Sequence, residues 1–317
     1  MKKIKIERND ENQRLDRFLS KYMDQASKGF IQKILRKKRI KLNSSRGYPE
    51  DIVKYGDEIK LYLAEDTINK FQTKTENIET NIDLDIIYED KNIILINKKS
   101  GQLSHSNNEN SDSIVKGVKK YLIDKGEYHP QNEKTFSPSI CNRLDFNTSG
   151  IIIATKNYNS LKMINRAIRE HKIEKYYKAL VSGKIDKEIL LQGYLTKNRI
   201  NNKVQIHKKW MNNSKEIHTR IMPLKFNEEY TLLDIQLITG RTHQIRAHLA
   251  SINHPIVGDR KYGNNKINKK FNLDSQFLVA YKIIFSGLKD DLEYLNDKIF
   301  QVEDNKAYKI VEEKILK

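Results

Sequence analysis

One carboxylate near the middle of the chain stands in a segment that is suited to hold a reactive side chain. Asp145 follows Arg143 by two residues and precedes a Thr-Ser-Gly turn at residues 148–150. The apolar run 151–154 comes directly after this turn and predicts a buried strand. A turn anchored by a buried strand gives a rigid mount for a carboxylate that acts as a nucleophile or a base. The alternative is that Asp145 only caps the turn, as Asp often does.

A second segment, residues 239–249, combines basic and imidazole side chains. The pattern predicts a strand that ends in a tight turn, followed by a helix that Thr242 caps. His243 and Arg246 are three residues apart and therefore share one face of this helix. Arg246 could then point into a cleft and pair with Asp145. The alternative is a basic surface helix without chemistry.

Three segments together carry a resemblance to a known family. Residues 143–150 read Arg-Leu-Asp-Phe-Asn-Thr-Ser-Gly, residues 175–183 read Lys-Tyr-Tyr-Lys-Ala-Leu-Val-Ser-Gly, and residues 240–246 read Gly-Arg-Thr-His-Gln-Ile-Arg. They resemble the signatures of the RluA-type pseudouridine synthases. The resemblance implies that the chain isomerises uridine to pseudouridine in RNA, and that it needs no redox group, metal or nucleotide cofactor.

The same resemblance implies roles for individual residues. Asp145 takes the position of the catalytic aspartate, and Arg246 takes that of the active-site arginine. Tyr177, rather than Tyr176, matches the tyrosine that stacks on the extruded uracil and assists proton transfer, although ordinary strand packing is the alternative for this residue. The RNA contacts implied by the resemblance are those of Arg143, Thr148, Arg241, His243 and Gln244.

Residues 13–63 resemble a second, smaller module, the S4 RNA-binding fold. Two amphipathic helices are predicted there, the second capped by Ser27, and two alternating segments that follow predict a small sheet. The second helix ends in four consecutive basic residues, Arg36, Lys37, Lys38 and Arg39. We expect this cluster to bind RNA. The alternative is a solvated helix end that interacts with its own dipole.

The predicted organisation is an S4-like RNA-binding domain at 1–64, a linker at 65–81 and a catalytic domain at 82–317. Irregular alternation of strands and helices after residue 82 favours the α+β class. The resemblance implies the pseudouridine synthase fold, a mixed, largely antiparallel sheet with a central cleft. The strands and helices predicted in this part are Ile86–Tyr88, Ile93–Asn97, Gly150–Thr155, Ser160–His171, Tyr176–Val181, Leu232–Leu237 and Thr242–Ile252.

Composition limits the classes of partner. Lys and Arg number 59 against 41 Asp and Glu, and the resulting net charge of +18 suits a polyanion such as RNA. A biased genome could supply part of this lysine excess, so the position of the charges must decide. The single cysteine excludes an internal disulfide. His243 and His248 lie five residues apart and do not share a helix face, which argues against a metal site.

We expect a cytoplasmic protein, because the sequence has neither an apolar signal region nor an apolar run of the ~20 residues that a bilayer requires. A monomer with no obligate protein partner is expected. Within the family, the substrate expected is large-subunit ribosomal RNA. A tRNA-modifying enzyme is one alternative, and a noncatalytic RNA-binding or ribosome-assembly protein is another.

Overall fold

The computed structural model describes residues 1–72, 78–106, 111–198, 203–270 and 275–302. The chain divides into two compact units, each formed by several segments. The first unit contains Met1–Glu79, Val118–Ser139 and Lys156–Asn159, and the second contains Thr80–Gly117, Ile140–Thr155 and Ser160–Lys317. Within the described ranges, the helices are too short or too polar to cross a membrane.

The first unit consists of short strands and helices. Its elements are β1 (Lys2–Lys5), β2 (Gln13–Arg14), α1 (Leu15–Tyr22), α2 (Lys28–Arg36), β3 (Ile40–Leu42), β4 (Ser45–Arg46), β5 (Ile52–Val53), β6 (Glu58–Leu61) and α3 (Glu65–Lys70). One sheet has the strand order β1-β6-β3-β4, and β2 pairs separately with β5. The helices bury their apolar faces against these strands in one core.

Local sequence explains most of this unit. Ser27 caps α2 as predicted, because its hydroxyl accepts a hydrogen bond from the Phe30 amide at 3.2 Å. The segment 65–81 was predicted to be a linker, but its first residues are helical. They form α3, whose Ile68 is 2% exposed and belongs to the core. Phe71, at the end of α3, packs against the same core. The charged and polar residues around Ile68 and Phe71 give the sequence no helical periodicity, so this helix was not predicted.

A buried polar group ties distant parts of the first unit together. Asp10 is 1% exposed and accepts a hydrogen bond from the Thr135 hydroxyl at 2.8 Å. Gln13 donates to the same hydroxyl at 3.0 Å. The N-terminal segment is therefore bonded to residues 118–139 within this unit, and a deletion of the N-terminal residues would leave buried polar groups without partners.

The second unit is built on one large sheet. Its elements are β7 (Ile86–Glu89), β8 (Ile93–Lys98), α4 (Ile114–Asp124, which ends in the first unit), β9 (Ser139–Ile140), β10 (Ser149–Thr155), α5 (Tyr158–Arg169), β11 (Ile173–Ser182), β12 (Ile189–Lys197), β13 (Val204–His207), β14 (Lys215–Phe226), β15 (Tyr230–Leu237), α6 (Gln244–Ser251), α7 (Asn265–Lys270), β16 (Leu278–Phe285), a 3₁₀ helix (Asp290–Leu295) and β17 (Ile299–Gln301). The strand order is β13-β12-β14-β15-β11-β16-β10-β8-β7, with β17 beside β16 and β9 beside β10.

The pair β10 and β16 runs parallel, whereas the other neighbouring pairs along the path from β13 to β7, and the pair β16 and β17, are antiparallel. The prediction of a mixed, largely antiparallel sheet is therefore confirmed. Gly150, at the start of β10, has φ 114°, and a Cβ there would lie 2.2 Å from the Ala280 carbonyl oxygen. Only glycine allows this close approach, which brings the loop before β10 against the centre of the sheet.

Candidate active site

A cavity of about 890 Å³ opens in the second unit, and the residues singled out from the three sequence segments line it. They are Arg143, Asp145, Thr148, Tyr177, Arg241, His243, Gln244 and Arg246. Its volume falls in the range of small-molecule sites and could hold one nucleotide. The basic residues 36–39 are exposed on the first unit and are not among the described residues that line this cavity.

Asp145 lies in the loop between β9 and β10, with 26% of its side chain exposed to the cavity. The loop is a turn in which the Thr148 amide donates to the Asp145 carbonyl at 3.0 Å. Just before it, the Ser104 hydroxyl accepts from the Leu144 amide at 3.0 Å and donates to the Leu144 carbonyl at 2.7 Å. The carboxylate is therefore carried on backbone that is fixed on both sides.

A buried lysine also holds the loop that carries Asp145. Lys98, at the end of β8, is 0% exposed. Its ammonium group donates to the carbonyl oxygens of Lys99 at 2.9 Å, Gln102 at 2.9 Å and Phe146 at 3.0 Å. Burial lowers the pKa of Lys98 to about 8, although the Asp145 charge acts to raise it. Because Phe146 follows Asp145 directly, Lys98 helps to set the position of the carboxylate.

Arg246 binds two carboxylates at once. Its Nη1 donates to Oδ2 of Asp145 at 2.8 Å, so the pairing expected from the sequence is confirmed. Its Nε and Nη2 donate to the two carboxylate oxygens of Asp259 at 2.7 and 2.9 Å. Burial acts to lower the pKa of Arg246, but Asp259 and Asp145 together hold this pKa above its ordinary value. The guanidinium is thus a permanent positive charge in a fixed orientation.

The start of the following helix differs from the sequence prediction. Helix α6 begins at Gln244, and His243 rather than Thr242 occupies the cap position, with a left-handed φ of 52° and without a side-chain cap. The Gln244 oxygen instead accepts from the Arg241 amide at 3.0 Å and the Thr239 hydroxyl at 2.9 Å. A side chain from inside the helix therefore satisfies the turn, and a non-glycine residue takes the unfavourable backbone conformation.

His243 is held between a tyrosine and the carboxylate. Its Nδ1 lies 3.1 Å from the Tyr262 hydroxyl, and its Nε2 lies 3.9 Å from Oδ2 of Asp145. The Tyr262 oxygen accepts from the Val204 amide at 2.9 Å, which leaves its own proton for Nδ1. Burial lowers the pKa of His243. We therefore assign the neutral ring with its proton on Nε2, directed at Asp145.

The two neighbouring tyrosines of β11 have different surroundings. Tyr177 is 6% exposed, lines the cavity, and its hydroxyl forms no hydrogen bond with any residue in the described ranges. Burial, together with the Asp145 charge, raises the pKa of Tyr177. Tyr176 is half-buried and its hydroxyl donates to Glu174 at 2.5 Å. The phenol that is available to a bound molecule is therefore that of Tyr177.

Known proteins resemble this chain along most of its length. A family model described as RNA pseudouridylate synthase matches residues 92–251. The chain is 36% identical over 304 residues to an uncharacterized RNA pseudouridine synthase of Mycoplasma capricolum. The matched region covers 94% of this chain and 96% of that protein. The chain belongs to the RNA pseudouridine synthase family. It is an isomerase of the RluA type.

One further relative agrees with this assignment, and one solved structure has a similar fold. This synthase is 34% identical over 296 residues to the ribosomal large subunit pseudouridine synthase C of Buchnera aphidicola, across 89% of this chain and 88% of that protein. Its fold resembles human RNA pseudouridylate synthase domain containing 4, with a TM-score of 0.53 at 20% identity, across 69% of this chain and 87% of that chain. The second likeness concerns the fold alone.

The residues that the resemblance implies as RNA contacts of this synthase differ in exposure. Arg143 and Arg241 are exposed and line the cavity. Gln244 is 2% exposed, and its amide nitrogen donates to the His218 carbonyl and the Thr219 hydroxyl, both at 3.0 Å. Because its oxygen is also occupied, we interpret Gln244 as a loop-fixing residue rather than an RNA contact.

Thr148, the remaining predicted RNA contact, is 2% exposed and accepts a hydrogen bond from Gln276 at 3.1 Å. Sequence reasoning also missed three residues that hold the site: Lys98, Asp259 and Tyr262. Lys98 ends an apolar strand, where a lysine is unusual because burial disfavours its charge. That position was the one available signal. Nothing in the local sequence around Asp259 or Tyr262 indicates which distant group each will contact.

Proposed function

We propose that this synthase isomerises specific uridines of large-subunit ribosomal RNA, with Asp145 as its catalytic residue. The observation that carries the proposal is the Arg246 contact, which orients a cavity-facing carboxylate at 2.8 Å. The relative in Buchnera aphidicola is named a ribosomal large subunit enzyme, and a relative in Vibrio cholerae with the same name is 29% identical over 290 residues. These names support the choice of RNA.

In the proposed reaction the target uridine first leaves its helix, because no side chain can reach a stacked base. Arg143 enters the vacated space. Asp145 then acts as a nucleophile at C1′ or as a base at C2′, and the glycosidic bond breaks. The freed uracil rotates and C5 bonds to C1′, either displacing the Asp145 carboxylate from C1′ or adding to C1′ as the proton taken from C2′ is returned. The C5 proton then leaves and N1 takes up a proton, so the product is an isomer of uridine. Tyr177 stacks on the base, and its hydroxyl, which bonds to none of the described residues, is available for that proton transfer.

The proposal includes an S4-like RNA-binding module built on residues 1–64, to whose core α3 adds Ile68, and a catalytic role for the second unit. Two observations support the RNA-binding role. Residues 36–39 are four consecutive exposed cations, and they stand where α2 ends, with a left-handed φ of 57° at Lys38. Neutralising phosphates with such a cluster releases counterions and strengthens binding at low salt.

The test of this module replaces two charges rather than deleting residues, because the N-terminal segment is bonded to residues 118–139. Lys37→Gln combined with Arg39→Gln should weaken RNA binding and reduce its salt slope by roughly one per lost phosphate contact. Turnover at saturating RNA should persist. Lys187→Gln, which removes an exposed charge elsewhere, is the control. An unchanged affinity and salt slope in the double variant would refute the electrostatic role of the cluster.

The test of the substrate is a map of pseudouridines in ribosomal and transfer RNA from a strain that lacks the gene. Loss at defined positions of 23S ribosomal RNA, restored by the wild-type gene and not by Asp145→Asn, is the expected result. Loss in transfer RNA alone would favour the tRNA-modifying alternative. Purified protein should release tritium from uridine labelled at C5, whereas a noncatalytic assembly protein would release none.

A further inference from the structure

A second buried lysine lies on the cavity wall, and the chemistry above does not use it. Lys175 stands in β11 between Ile173 and Tyr177, and the period of two along a strand directs all three side chains to the same face. Lys175 is 9% exposed and lines the cavity together with Tyr177. Its ammonium group forms no hydrogen bond or ion pair with any residue that the structure describes.

The ammonium group lies against the loop between β15 and α6. A Cβ built on Gly240 would be 3.6 Å from Nζ of Lys175, with no closer contact to that Cβ. Because Gly240 has no side chain, the space beside the ammonium remains open on the exposed side of the loop. Arg241, the next residue, is exposed and lines the same cavity. The Lys175 ammonium therefore lies beside the exposed backbone of Gly240, and Arg241 follows that backbone in the chain.

Lys98 has oxygen partners that compensate its buried charge, whereas Lys175 has none among the described residues. Lys98 is compensated by three carbonyl oxygens and also feels the Asp145 charge. For Lys175, burial alone lowers the pKa, and no nearby carboxylate opposes that effect. An unpaired ammonium in a buried position is unfavourable for folding, and an apolar residue would fit better between Ile173 and Tyr177. A bound anion would supply the missing partner.

We propose that Lys175 binds a phosphodiester oxygen of the RNA strand that carries the target uridine, in a subsite that Gly240 leaves open and Arg241 borders. This inference rests on the proposed function, in which the ribose faces Asp145 and the base faces Tyr177. The strand that leads to and from that ribose must bring a phosphate into the remaining part of the cavity. A lysine is a compact, strongly hydrated point charge, which suits a phosphate oxygen.

The test compares RNA binding by wild type, Lys175→Met and Lys175→Arg. The probe is a fluorescein-labelled RNA stem-loop with one uridine in its loop. Lys175→Met should bind about tenfold more weakly, as expected for the loss of one charge-assisted contact. The slope of log affinity against log salt should fall by roughly 0.7 to 0.9, the value for one phosphate. Lys175→Arg should restore most of both quantities.

Two measurements distinguish this role from a structural one. Lys175→Met should melt at the same temperature as wild type or higher, because it removes a buried, unpaired charge. A clear loss of thermal stability that explains the loss of binding would overturn the proposal. Lys187→Met, at an exposed site in the same unit, is the matched control and should leave affinity and salt slope near wild type.

Chemical substitution in the RNA identifies the bound atom. The stem-loop is prepared with one uncharged methylphosphonate linkage on either side of the uridine. At the correct linkage, wild type should lose about tenfold in affinity, and Lys175→Met should lose nothing further. If Lys175→Met weakens binding equally with every RNA, Lys175 contacts the base or the ribose and the phosphate subsite is wrong.

The binding measurement requires no turnover, so it stands apart from the proposed reaction. Absence of pseudouridine in every RNA, with the expected Lys175 effects, would refute the proposed function and leave an anion subsite. Formation of pseudouridine together with an unchanged salt slope in Lys175→Met would refute the subsite alone.

Discussion

Asp259 accepts two hydrogen bonds from Arg246, at 2.7 and 2.9 Å, and is itself 0% exposed. The same carboxylate accepts the amides of Lys261 at 2.8 Å and Tyr262 at 3.0 Å. Burial acts to raise the pKa of Asp259, but these contacts hold it below its ordinary value. Asp259 therefore fixes the orientation of the Arg246 guanidinium, and Arg246 in turn orients the carboxylate of Asp145.

Asp259→Asn should impair both stability and turnover. The amide keeps the size but leaves the buried guanidinium without a full counter-charge, and breaking such a pair costs roughly 3 kcal/mol of unfolding free energy. A misplaced Arg246 should lower kcat by about 100-fold. Urea unfolding and single-turnover assays measure the two effects. Wild-type turnover in a folded Asp259→Asn protein would contradict the positioning role.

Asp145→Asn should abolish product formation. The change preserves size and most hydrogen bonding, but an amide can neither attack C1′ nor take a proton from C2′. Folding and RNA affinity should survive, since the carboxylate is partly exposed. Carbodiimide labelling of pseudouridine followed by primer extension detects the product. Asp16→Asn is the control, because Asp16 forms only a surface ion pair with Arg14 at 2.9 Å. Appreciable product from Asp145→Asn would remove Asp145 from its catalytic role.

Tyr177→Phe should keep the stacking ring and lose the hydroxyl. Because that hydroxyl bonds to none of the described residues, stability should change little. If the phenol assists proton transfer, the rate should fall by roughly 100-fold or more while RNA still binds. Tyr176→Phe loses only the half-buried contact to Glu174 and should remain close to wild type. Rapid-quench kinetics compare the two variants, and the reverse ranking would assign the role to Tyr176.

Tyr262→Phe should release the imidazole of His243. In the wild type, the Tyr262 proton on Nδ1 keeps the ring proton on Nε2, and the variant should populate both tautomers. The nitrogen-15 shifts of the His243 ring report this directly, without an activity assay. His248, whose Nδ1 lies 3.1 Å from the Thr219 hydroxyl, serves as an internal control and should not change. Unaltered His243 shifts would contradict the tautomer assignment.

Lys98 should make stability depend on alkaline pH. Its pKa is about 8 in the folded protein against 10.5 for an ordinary lysine, so between these values the unfolded chain binds more protons. The free energy of unfolding of wild type should therefore rise relative to Lys98→Met as pH increases through this window, by up to about 1.4 kcal/mol per pH unit. Urea titrations at pH 7.5, 8.5 and 9.5 (conditions spanning roughly this window) test it. A parallel pH dependence in the two proteins would contradict the lowered pKa of Lys98.

The sequence predicted the strands and helices that have a clear pattern of apolar residues of their own. The apolar runs of β8 and β10 and the alternation of β15 are where the sequence indicated strands. Strands β12 and β14 were missed because their alternation is weak. Gly193 interrupts the buried face of β12, Leu190 lies on its exposed face, and Thr219 interrupts the buried face of β14. Strand β16 was also missed, and its parallel pairing with β10 depends on a contact between residues far apart in sequence.

The sequence by itself determined the family and predicted both Asp145 as the reacting carboxylate and Arg246 as its partner, because these residues occupy fixed positions in short, specific motifs. The tertiary structure alone decided that Asp259 holds Arg246, that Lys98 fixes the Asp145 loop, that Gln244 is used internally, and that Lys175 has no partner among the residues the structure describes. The physical reason is that burial and hydrogen-bond partners arise where distant segments meet. The type of a residue determines whether it can donate a hydrogen bond, accept one or carry a charge. Only the fold determines which group becomes its partner.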